Sequence, residues 1–93
     1  MMAESGTGPQ KRIRMTGHAL QQLRYRGTNE AEVTEAIRRA KWGRTELGRL
    51  DCRKDFTYDA IWNGAHYATK QVRPIFVDDP DEIVVVTVYV YYF

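Results

Sequence analysis

The chain has 93 residues, 43% of them apolar and 28% charged, and a formal net charge of +2. That size and composition make one small domain with a two-layer core and exclude global disorder. The single cysteine, Cys52, excludes an intrachain disulfide and fits a reducing compartment.

The net charge hides an asymmetry. Residues 11–54 hold twelve Lys/Arg against five Asp/Glu, a net +7, whereas residues 55–93 hold two against six, a net −4. A basic front half suits an anionic partner such as nucleic acid, or arginine-rich helix and hairpin faces in solvent.

Residues 1–10, MMAESGTGPQ, are small and polar and predict a disordered tail, with a single domain over 11–93. The tail lacks the apolar segment of a secretory leader. The longest apolar run, from Ile83, is too short for a bilayer and is interrupted by Thr87 and several tyrosines. The expectation is a cytoplasmic protein with no membrane partner. KRIRM predicts a short strand with Ile13 and Met15 on one face. Thr16 is a candidate N-cap for a first helix with Ala19, Leu20 and Leu23 on its apolar stripe, stopped by Gly27. Asn29 and Glu32 match a capping box for a second helix, in which Val33, Ala36, Ile37 and Ala40 recur at helical spacing until Gly43.

From Arg44 the period changes to two. RTELGRLDCR predicts a strand weakened by Gly48. KDFTYDAIWN alternates, with Phe56, Tyr58, Ala60 and Trp62 on one side, and Asn63-Gly64 marks a tight hairpin. The next strand runs from about His66 to Val77, with Pro74 placing it at an edge or a bulge. After the DDPDE turn, EIVVVTVYVYYF forms the last strand, Glu82 to Phe93. Strict alternation puts Val84, Val86, Val88 and Val90 under the helices, and Ile83, Val85, Thr87, Tyr89, Tyr91 and Phe93 on the other face. The expected fold class is α+β: two N-terminal helices packed on one face of a three- to four-stranded antiparallel sheet.

The chain has no glycine-rich phosphate loop, dinucleotide fingerprint, zinc spacing or nucleophile elbow, so no cofactor and no metal are expected. His18, in the first turn of the first helix, is either a general acid–base or a helix-capping residue. Arg24 and Arg26 suit phosphates, or the negative end of their own helix. Arg49 and Arg53 share a strand face and, with Arg44, make a phosphate-tracking row or a charged edge that resists aggregation. Lys70 shares parity with His66 and is placed to neutralise developing negative charge. Asp55 and Asp59 read as ion-pair partners. Tyr89, Tyr91 and Phe93 form an aromatic stripe that suits a homo-oligomer interface, or base stacking.

Three segments carry a resemblance: TGHALQQLRYRGTNEAEVTEAI, an arginine-containing hairpin, and KQVRPIFVDDPDEIVVVTVYVYYF. Together they resemble a bacterial family of small uncharacterised domains with an HAxxxLxxRG helix and a closing VTVY strand. That family is similar in fold to the barnase–EndoU–colicin–RelE group of ribonuclease toxins. The resemblance implies metal-independent RNA binding or cleavage, in which basic and polar side chains on the sheet position the RNA backbone, activate the 2′-OH and stabilise the leaving oxygen. By motif match it carries over His18, Arg24 and Arg26, and it implies an antitoxin-like protein partner. RelE-like toxins commonly set key basic residues in the later strands, where this chain has tyrosines. Two readings follow. In a ribonuclease-like domain His18, Lys70 and Arg53 are catalytic and Arg24, Arg26, Arg44 and Arg49 hold RNA. In a non-catalytic homo-oligomeric module Tyr89, Tyr91 and Phe93 are the contact surface.

Overall fold

Residues 11–93 are described by a computed structural model; the expected tail at 1–10 lies outside them. In chain order the elements are β1 (Arg12–Met15), α1 (Gly17–Arg26), α2 (Glu30–Arg39), β2 (Gly43–Arg44), one 3-10 turn (Glu46–Gly48), β3 (Leu50–Asp51), β4 (Lys54–Trp62), β5 (Ala65–Asp78) and β6 (Glu82–Tyr92). Both helices start at the caps expected of them. The Thr16 side chain accepts from the Ala19 amide at 3.1 Å, and the Asn29 side chain from the Glu32 amide at 2.9 Å. Gly27 ends α1 in the left-handed conformation, φ 77°, with its amide and that of Thr28 both donating to the Leu23 carbonyl. Among the described residues no helix is long and apolar enough to cross a membrane.

The fold is α+β, but the sheet is larger than expected and is mixed. Among the described residues it has six strands: β1-β6-β5-β3-β2 in order, with β4 also paired to β5. The KRIRM segment supplies the parallel component, because β1 runs alongside β6 from Arg12↔Glu82 to Met15↔Val85. The RTELGRLDCR segment divides into β2 and β3, because Leu47 and Gly48 take positive φ between them (62° and 70°). The Asn63-Gly64 hairpin forms as expected, with both φ positive (49° and 85°).

Pro74 is not at an edge. It is buried in β5, which lies inside the sheet. Thr69 and Phe93 exchange both backbone hydrogen bonds (2.8 and 3.1 Å). By alternation, odd-numbered residues of this stretch of β5 bond β6, and even-numbered ones turn toward β3 and β4. The donor that Pro74 lacks would face Cys52–Arg53, the gap between β3 and β4, so no ladder bond is lost.

The last strand does not alternate strictly. Ile75 pairs with Thr87 but Phe76 pairs with Val85, which leaves Val86 as an extra residue in β6. This bulge switches the faces. Ile83 and Val85 are buried before it and Val88 after it, all in the core under the helices, with Val90 packed against them. The expected faces are therefore exchanged for Ile83, Val84 and Val85, Val86 sits in the bulge, and the expectation holds from Val88 onward. Phe76, Val33, Ile37, Val72 and Val85 are the large buried side chains of this core. Cys52 joins it, and burial pushes its thiol up to about 12, which keeps it protonated and unreactive at neutral pH.

Beyond Val85, β1 no longer pairs β6, and α1 takes over its edge. Gln22 Oε1 accepts from the Val88 amide at 2.9 Å and from the Thr87 hydroxyl. Tyr92 Oη donates to the Arg26 carbonyl at 2.6 Å. The Tyr92 ring stacks on Trp62 at 4.8 Å and meets Tyr58 and Tyr67. Gly27 lies directly against this cluster. A Cβ there would collide with the Tyr92 hydroxyl and come within 2.7 Å of Trp62. Gly27→Ala is expected to destabilise the domain by about 2–4 kcal/mol, from left-handed strain plus overpacking. Urea unfolding of the variant checks this.

Burial raises the Tyr92 phenol from 10.0 to about 12. A group whose folded pKa exceeds its unfolded value adds stability that is full below the unfolded value and is lost as pH rises through the folded one. Relative to Tyr92→Phe, the wild-type domain should therefore lose stability between about pH 10 and 12. Denaturation midpoints of the two proteins across that window test it.

Candidate nucleic-acid interface

The helices cover one face of the sheet. The other face presents three rows of side chains in register. On β6 these are Thr87, Tyr89, Tyr91 and Phe93. Opposite them on β5 stand Ile75, Arg73, Gln71 and Thr69. Beyond β5, Asp51 pairs with Ile75 and Asp55 with Gln71, with Arg53 between them in sequence. Tyr89, Tyr91 and Phe93 are 36%, 39% and 57% exposed, as expected of an aromatic stripe with no covering layer.

Guanidinium groups surround the two tyrosines. Arg26 and Arg73 lie 5.3 and 5.6 Å from the Tyr89 ring centre, and Arg53 lies 5.8 Å from that of Tyr91. These distances are within cation–π reach, near its outer limit. Arg73 is held at 2.8 Å by Asp51 and also donates to the Tyr91 hydroxyl at 3.4 Å. The hydrogen bond that Arg73 donates to the Asp51 carboxylate is what chiefly raises the arginine's pKa, so this cation is fixed in charge and in place. Arg53 donates to Gln71, which donates to Asp55. A shallow cleft of about 340 Å³ opens beside Tyr89, between Arg73, Ile75, Arg49 and the 3-10 turn. At its lip Leu47 is 84% exposed and holds a left-handed backbone.

Several residues expected at the site therefore meet on this face: Arg26, Arg49 and Arg53 together with Tyr89 and Tyr91. Others lie elsewhere. Arg44 pairs with Leu50, whose side chain packs on the core, so Arg44 points to the helix side. Arg24 is exposed on α1. His18 is exposed at the first turn of α1. Lys70 is at the opposite end of that helix, its Nζ 2.9 Å from the Gly27 carbonyl. The nine residue steps from His18 to Gly27 span about 13 Å of helix. The three residues expected to be catalytic thus fall in three places.

Lys70 has a different occupation. It is 7% exposed, and its ammonium lies 2.8 Å from Glu32 and 5.4 Å from the Tyr58 ring centre. Glu32 also accepts from the Thr28 hydroxyl at 2.8 Å. Glu32 was expected to return a capping-box bond to Asn29; its carboxylate turns to Lys70 and Thr28 instead. His66 Nε2 lies 2.7 Å from Asp59 Oδ1 beside the hairpin, whereas Asp55, also expected in an ion pair, accepts from the neutral Gln71 amide instead.

Arg73 is the member of the face that sequence reasoning did not nominate. Its parity with Gln71 was legible, but its place opposite Tyr89 depends on the β5–β6 register. Among the described residues no group of three or more His, Cys, Asp or Glu is placed to hold a metal ion. No family model matches the chain, and no curated protein or solved structure shows significant similarity to it.

If Lys70 is a structural cation, removing its partner strands a buried charge. Glu32→Ala should cost about 3 kcal/mol, and the apolar pair Lys70→Met with Glu32→Leu should recover most of it. Chemical denaturation of the single and double variants checks this.

Proposed function

We propose that this domain binds RNA on the open face of its sheet, as a non-catalytic or diverged relative of the RelE-like group. One observation carries the reading: Tyr89 and Tyr91 are exposed, and each has arginine within cation–π distance. Arginine forks suit phosphates, and aromatic rings suit bases. The net +7 of residues 11–54 supports an anionic partner, since Arg26, Arg49 and Arg53 all come from that segment. Cleavage centred on His18 and Lys70 draws no support from this arrangement, because the two lie at opposite ends of α1 and the Lys70 ammonium is engaged.

The exposed Phe93 and Leu47 favour a second reading, in which the same face joins two copies of the chain. A two-fold contact there would bring the arginines of both copies together, which weighs toward the anionic partner.

Fluorescence anisotropy with labelled RNA tests the first reading. Replacing Arg26 and Arg53 together with glutamine should weaken binding about tenfold and reduce the slope of log affinity against log salt by about two. Unchanged affinity and slope would place the RNA elsewhere.

A further inference from the structure

The strand geometry narrows the partner of this face, on the premise that it binds nucleic acid at all. Tyr89, Tyr91 and Phe93 follow one another at every second residue of one strand end. Same-face neighbours on a strand are separated by about 6.7 Å. Bases in a duplex strand rise by only about 3.4 Å and present their edges to the grooves. A duplex therefore cannot lay successive bases on these three rings. An extended single strand can, because its bases are free to separate and turn face-on.

The surroundings set a direction as well. On one side of the aromatic row, α1 occupies the β6 edge, and Arg26 reaches round it to Tyr89. On the other side stand Arg73 and Arg53. The carboxylates nearest the tyrosines on this face are Asp51, Asp55 and Glu46. Asp51 is neutralised by Arg73, and Asp55 lies on the row farthest from the tyrosines. Asp51 offsets Arg73 in turn, so the net positive charge at the Tyr89 end comes from Arg26, while Arg73 keeps guanidinium donors there; among the described residues no guanidinium lies within cation–π distance of Phe93.

We infer that the open face is a three-base platform for single-stranded nucleic acid: Tyr89, Tyr91 and Phe93 each take one unpaired base, and Arg26 and Arg73 hold the backbone at the Tyr89 end. The three rings give affinity without base selection, since every base has a π-face. The two guanidiniums anchor one end of the trinucleotide.

The test is anisotropy with three labelled probes: a twelve-nucleotide oligouridine, its deoxythymidine counterpart, and a twelve-base-pair RNA duplex. Either single strand should bind at least about tenfold more tightly than the duplex, and the ratio between the two identifies the sugar that the face prefers. Tyr91→Ala should weaken single-strand binding about 5- to 150-fold, whereas Tyr91→Phe should retain most of it. The duplex comparison uses the wild-type chain, so it stands even if the alanine variant does not fold. Equal binding of duplex and single strand, still sensitive to Arg26→Gln, would overturn the platform and leave a general anion surface. Absence of binding to all three probes would overturn the nucleic-acid reading with it. A stable dimer in light scattering, dispersed by Phe93→Ser, would assign the face to a second copy of the chain and overturn the platform.

Discussion

A buried ammonium fixes how the two layers of this domain meet. Lys70 rises from the middle of β5 into the helix side, where an unpaired charge would be severely penalised. Its partners are the Glu32 carboxylate on α2 and the Gly27 carbonyl at the end of α1. Both come from the helical corner, so that corner can dock in one place only. Tyr92, directly opposite Lys70 in the register, adds its bond to the Arg26 carbonyl. Gly27 is required there twice, for its left-handed backbone and for the space its missing Cβ leaves to Tyr92 and Trp62.

This docking also builds the opposite face. With its end pinned by Lys70 and Tyr92, α1 lies along the edge of β6 that β1 leaves open, and Gln22 bonds the Val88 amide there. Arg26 is the last residue of the helix. Its backbone is tied to Tyr92 on the covered side while its guanidinium reaches Tyr89 on the open side. The Val86 bulge completes the arrangement. It returns Val88 and Val90 to the core and so turns Tyr89 and Tyr91 outward.

Local signals were legible in the sequence where the chemistry is local. Thr16, Asn29, Gly27 and the Asn63-Gly64 turn all act within a few residues of themselves, and each does what its residue type suggests. Features set by pairing between distant segments were not legible. The bulge at Val86 has no glycine or proline to mark it in a run of valines. The parallel pairing of β1 with β6 joins residues about seventy positions apart. Glu32 matches a capping residue in the sequence because Asn29 stands three positions before it, and only the fold brings Lys70 to it. The site divides the same way. The aromatic stripe and the basic segment are visible along the chain. That Arg26, Arg53 and Arg73 converge on the tyrosines, while His18, Arg44 and Lys70 do not, depends on register and on the path of α1.

The central claim is that an unpaired strand of nucleic acid lies along β6 with its bases on the aromatic row. Ultraviolet crosslinking of oligouridine to the domain, with the attachment sites mapped by mass spectrometry, reads this directly. The account predicts crosslinks at Tyr89, Tyr91 and Phe93. Crosslinks confined to the outer faces of α1 and α2, or to the Asn63-Gly64 hairpin, would contradict it.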